Sequence, residues 1–66
     1  MKQFELISER KRKNLNQTDL SKMLGLSITQ YSKKEKGRVE FTAKEIKKIK
    51  DVLQLTPERV DDIFLT

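Results

Sequence analysis

The 66-residue sequence predicts an all-α fold of five short helices in one domain spanning residues 1–66. Three observations predict it. No stretch alternates apolar and polar residues at period two, whereas apolar residues recur at the three- and four-residue spacing of a helix face. A pattern of apolar residue, capping residue, three residues and a second apolar residue occurs four times, as Leu15-Asn16…Leu20, Leu26-Ser27…Tyr31, Phe41-Thr42…Ile46 and Leu55-Thr56…Val60. Each instance sets a hydrophobic staple across an N-cap, so the pattern marks four helix starts behind a first amphipathic segment. Finally, 35% hydrophobic residues and no cysteine leave helix packing as the source of stability, near the lower size limit for a domain without staples.

The first helix is expected over residues 2 to about 13, with Gln3, Leu6, Ile7, Arg10 and Asn14 on one face and Phe4 and Lys11 at its margin. The run Arg10-Lys11-Arg12-Lys13 suits the negative end of a helix dipole, and Asn14 suits a left-handed stop. Asn16 caps the second helix, which turns Leu20, Met23 and Leu24 inward and stops at Gly25, a residue without the Cβ that would strain a positive φ. Ser27 caps the third, with Gln30 at the fourth position of a capping box, and this helix ends before Gly37. After Ile28 and Tyr31 it runs Ser32, Lys33, Lys34, Glu35, Lys36, with nothing further to bury. A helix so polar gains little from packing and presents a basic face to an acidic partner. The fourth helix, about 43 to 54, is expected to turn Ala43, Ile46, Ile49, Val52 and Leu53 inward behind a Thr42–Glu45 box. The fifth, about 57 to 64, begins with Pro57 after Thr56 and buries Val60, Ile63 and Phe64. Phe4, Tyr31, Phe41 and Phe64 all read as core or staple residues, which leaves no aromatic platform for stacking single-stranded bases.

Charge is placed unevenly. Residues 1–38 hold ten Lys/Arg against four Asp/Glu, a balance of +6, and residues 39–66 hold five against six, a balance of −1. All of the excess lies in the half of the chain that contains the second and third helices, which suits a polyanion bound by release of counterions from phosphates. The same charge also serves a merely solvated surface. With neither His nor Cys, the usual zinc sets and thiol chemistry are excluded, and no cofactor or metal is expected. Without a Gly-rich phosphate loop or paired carboxylates, an enzyme is not expected either. The start MKQFELISER carries charges where a secretory signal needs an apolar core, and no apolar run spans a membrane, so the expected location is the cytoplasm.

Helix, glycine-containing turn and exposed polar helix over residues 16–37 make a helix-turn-helix signature. With five helices placed, the chain resembles the Cro/C1-type (XRE-like) helix-turn-helix family. The resemblance rests on Leu15, Gln17, Leu20, Gly25, Ser27, Glu35 and Gly37, which stand at the family's spacings. The tail FTAKEIKKIKDVLQLTPERVDDIFL looks like that of short Cro-like regulators from phages of Gram-positive bacteria. The resemblance implies a five-helix domain of the lambda-repressor-like type whose recognition helix, residues 28–36, enters the major groove of duplex DNA. It implies base reading by Ser27, Ile28, Thr29, Gln30 and Lys33, and phosphate contacts from Asn16, Gln17, Lys36 and Arg38. It further implies a structural ion pair between Arg10 and Glu35.

Several of these residues carry a second reading. Gln30 serves either a base or the Ser27 box, Ile28 either a thymine methyl or the core, and Asn16 caps whether or not a phosphate lies beside it. Two positions depart from the family pattern. Lys34 replaces an aliphatic core residue, and its stem is expected to pack while its amine escapes to solvent. Tyr31 brings a hydroxyl that needs a partner inside. The loop after Gly37 carries Glu40 where relatives have further basic residues. The functional expectation is a Cro-like repressor binding a pseudo-palindromic operator as a homodimer, its protomers meeting through the C-terminal half near Phe64 and Leu65. The alternative is a protein-interaction module on the same fold, an antitoxin or anti-repressor component.

Overall fold

Five helices follow one another in a computed structural model that describes residues 1–65: α1 Gln3–Arg12, α2 Gln17–Leu24, α3 Ile28–Glu35, α4 Ala43–Leu53 and α5 Pro57–Phe64. There is no strand among the described residues. The four starts read from the staple pattern are all present, each behind its capping residue. Ser27 Oγ accepts from the Gln30 amide at 3.1 Å while Gln30 Oε1 accepts from the Ser27 amide at 3.0 Å. Thr42 and Glu45 repeat the arrangement at 3.2 and 2.9 Å. Thr56 Oγ1 accepts from Arg59 N behind Pro57. Asn16 and Asp19 form a further reciprocal box, at 2.7 and 3.0 Å, so the front of α2 is closed from both sides. Helices α2 and α4 stop on left-handed residues, Gly25 at φ 72° and Gln54 at φ 55°, and Asn14 at φ 58° turns the chain just after α1.

The core is Leu6, Leu20, Leu24, Tyr31, Ile49, Leu53, Leu55 and Ile63, with Leu15, Leu26, Phe41, Val52, Val60 and Phe64 packed against it. Phe41 bridges the rings of Tyr31 and Phe64, meeting the latter edge-on at 5.8 Å. Three expected inward residues lie outside. Phe4 is 76% exposed, because it stands about 200° around α1 from Leu6 while Glu9 and Arg10 flank Leu6 on the buried side. Met23 is 48% exposed: the buried stripe of α2 centres on Leu20, Leu24 and the small Ser21, whose hydroxyl donates to the Thr18 carbonyl at 2.8 Å. Ala43, at the first position of α4, is exposed. Polar clamps complete the packing. Arg59 of α5 donates to Glu5 and Glu9 of α1 and to Asp62, each at 2.7 Å, and Lys2 reaches Asp62 at 2.9 Å.

Candidate nucleic-acid interface

α3 is held along two flanks, and that is what aims its remaining side chains. Tyr31 and Glu35, one turn apart, are buried. The Glu35 carboxylate, 1% exposed, accepts from Arg10 Nε at 2.7 Å, from the Tyr31 hydroxyl at 3.1 Å and from Gln17 Nε2. Arg10 also donates through Nη1 to the Leu15 carbonyl at 2.9 Å. One carboxylate thus joins α1, α2 and α3, and every buried side-chain polar atom among the described residues has a partner. Burial, with the Glu35 charge beside it, pushes the Tyr31 phenol well above its usual range. The tyrosine is therefore a donor at every physiological pH.

The other flank carries Lys34. Its ammonium does not escape to solvent as the sequence suggested: Nζ lies 2.6 Å from Glu45 Oε1, and both side chains are only 12% exposed. The same oxygen accepts from the Thr42 amide, so the carboxylate that caps α4 also grips α3. Burial alone would raise the Glu45 carboxyl, but the Lys34 hydrogen bond and the Thr42 amide outweigh it and hold it below its usual range. The sequence marks Lys34 as a cation where an apolar residue is expected, but it does not name the partner. Two other partnerships were legible only in three dimensions, Gln17 with Glu35 and Glu9 with Arg59.

What these anchors leave outward is a row one helix face wide. With successive residues about 100° apart, Thr29, Lys33 and Lys36 stand opposite the buried side, Ile28 and Ser32 border them toward α2, and Gln30 borders them toward Lys34. Ile28, Thr29, Ser32, Lys33 and Lys36 share a shallow groove with Gln17 and Arg38, and no acidic residue lines it. Ile28 is 47% exposed and takes no place in the core. Lys33, Lys36 and Arg38 are exposed, without an ionic partner among the described residues. Ser27 and Gln30 lie at the exposed front of α3 but are engaged in each other's backbone amides. Lys36 is the C-cap of α3, which ends one residue earlier than expected, with Gly37 following at φ 81°. At the front of α2, Asn16 is exposed and engaged in its box, while Gln17 turns its amide donor inward to Glu35 and keeps one edge on the groove.

A helix-turn-helix family model matches residues 6–60, a span reaching into all five helices. The chain belongs to the helix-turn-helix family of the XRE-like, Cro/C1 kind. Comparison with curated proteins and with solved structures finds no match. A helix-turn-helix protein of this family is a DNA-binding regulator, and the family's role is regulatory rather than enzymatic. In it α2 and α3 are the paired helices and Gly25 is the turn between them. Among the described residues no helix is long and apolar enough to cross a membrane, and no cluster of metal-binding side chains occurs.

Proposed function

We propose that the protein is a sequence-specific double-stranded DNA-binding repressor of the Cro-like kind found in phages and prophages, acting in the cytoplasm on a pseudo-palindromic operator. One observation carries the reading: the outward row of α3 combines groove-reading side chains with unmatched cations and holds no acid. Lys33 is placed to donate to guanine O6/N7, while Ile28 and the Thr29 methyl suit thymine methyls. Ser27 and the free Nε2 of Gln30 reach base edges at the front of the helix. Lys36, Arg38 and the amide-rich starts of α2, at Asn16 and Gln17, meet phosphates on the two sides of the groove.

Two protomers bind together in this reading. Half-sites about 34 Å apart place two bodies in successive major grooves. With Cα extents of 27 × 24 × 20 Å, to which side chains add, neighbouring protomers come within touching distance. Leu65, 76% exposed at the end of α5, supports the expected C-terminal contact, whereas Phe64 is half-buried against Phe41. The alternative, an antitoxin or anti-repressor component, draws on a different feature: a groove beside Phe4, Val39 and Phe41 that leaves Phe4 and Val39 open to solvent.

Selection of binding sites from random duplex DNA with the purified protein tests the proposal. An enriched sequence with two-fold symmetry, lost in the Lys33→Ala plus Gln30→Ala variant, supports it. Absence of enrichment at low salt refutes it and moves the weight to the interaction module.

A further inference from the structure

Of the cations on α3, Lys34 alone is engaged by a carboxylate, and that carboxylate comes from α4, outside the helix-turn-helix. We infer that Glu45 tunes the affinity of the protein for DNA: by holding the Lys34 ammonium against α4 it withholds one cation from the DNA phosphates and keeps sequence-independent affinity low. The inference rests on the DNA-binding reading above and goes beyond it by assigning a role to a residue that touches no DNA.

Lys34 lies next to Lys33, about 100° around α3, on the flank it shares with Gln30 one turn earlier. Its ammonium is 2.6 Å from Glu45 Oε1, at 12% exposure for both side chains. So shielded, the pair is screened weakly by salt, and a phosphate must compete with a carboxylate already in place. Each phosphate neutralised by a cation adds about 0.9 to the slope of log affinity against log salt, for any sequence. A cation withheld therefore removes affinity for random DNA and for operator alike, and the part of the binding that remains leans more on base edges.

Glu45→Gln is the informative variant. A glutamine still completes the capping box with Thr42, so the start of α4 is preserved while the charge is removed. The uncompensated ammonium then leaves its shielded position on its four-carbon stem. Binding of random duplex and of selected operator is measured by fluorescence anisotropy from 50 to 200 mM salt, for wild type, Glu45→Gln, Lys34→Met and the double variant. The expected result is a slope steeper by about 0.9 in Glu45→Gln, equal to about 3.5-fold more affinity lost over that range. Random duplex and operator are both bound more tightly at 50 mM, and the ratio between them is unchanged. Lys34→Met and the double variant keep the wild-type slope.

A wild-type slope in a folded Glu45→Gln, or a slope shallower by about 0.9 in Lys34→Met, overturns the inference while leaving DNA binding intact. The second measurement decides alone if circular dichroism shows Glu45→Gln unfolded. Wild-type protein that binds no duplex at low salt overturns both this inference and the reading beneath it.

Discussion

Glu35→Gln is the substitution whose outcome most directly probes how α3 is held. The carboxylate is 1% exposed and faces Arg10, itself 7% exposed, at 2.7 Å. Replacing it by an amide leaves a buried guanidinium without its counter-charge, a change that costs about 3–5 kcal/mol. Gln keeps one acceptor for Arg10 or Tyr31, so the lower end, about 3 kcal/mol, is expected. A 66-residue domain has about 3–10 kcal/mol in total. The melting temperature should therefore fall by about 12–24 °C, taking about 4–8 °C per kcal/mol for a domain of this size. Thermal and urea unfolding followed by circular dichroism measure both quantities. The double variant Arg10→Met, Glu35→Gln removes both charges together and should regain most of the loss, short of about 1 kcal/mol for the Leu15 carbonyl left without its donor. A single variant within about 1 kcal/mol of wild type would refute the reasoning, since surface-like substitutions fall in that range. So would a double variant no better than the single, because the loss would then come from packing rather than from an unmatched charge.

Lys36→Ala and Arg38→Ala should each lower the salt slope of duplex binding by about 0.9, equally for operator and random sequence, whereas Lys33→Ala should weaken operator by about 1–3 kcal/mol and relax the choice of one base. Anisotropy titrations on both duplexes separate the two behaviours. Gly25→Ala should destabilise by about 1–2 kcal/mol through its φ of 72° alone, because an added Cβ at that turn meets nothing within 4 Å; urea midpoints measure it, and a much larger loss would point to a steric clash instead. Stability should be flat from neutral pH to about pH 5 and decline in acid. Glu45, held low by Lys34 and Thr42 against its burial, and Asp62, held low first by Lys2 and then by Arg59, have folded values below their unfolded ones. Their contribution is therefore complete above the unfolded values, near 4, and is lost as pH falls through the folded ones. Urea midpoints at pH 7, 5 and 3 check this, and Lys34→Met should make the acid loss shallower.

Helix starts were legible in this sequence because capping and stapling are local, and each of the four requires only six consecutive residues. The stops at Asn14 and Gly25 follow from backbone conformation and were equally local. Helix rotation was less legible. For α1 the apolar residues are too few to fix which side faces in, and two buried charged residues, Glu9 and Arg10, share the stripe that a hydrophobic pattern would give to Phe4. α2 is rotated toward Ser21, whose small side chain gives no apolar signal. In the candidate site, the outward places of Thr29, Lys33 and Lys36 follow from the polarity of α3, since no other element has use for them. The fate of Lys34 did not follow, because its partner is on another helix and a lone lysine at an inward position gives no direction for its amine.

The residues that fasten α3 and the residues it displays are almost separate sets. Tyr31, Lys34 and Glu35 do the fastening; Ile28, Thr29, Lys33 and Lys36 have no duty in the interior. New side chains at the displayed positions can therefore be tried without refolding the domain, and under the proposed DNA-reading role a changed target sequence can be followed by surface exchange alone. Gln30 is the exception, since its carbonyl also closes the first turn of α3. If α3 reads DNA as proposed, drift at that position is confined to residues that can cap as well as read, which makes it the slowest letter in the code.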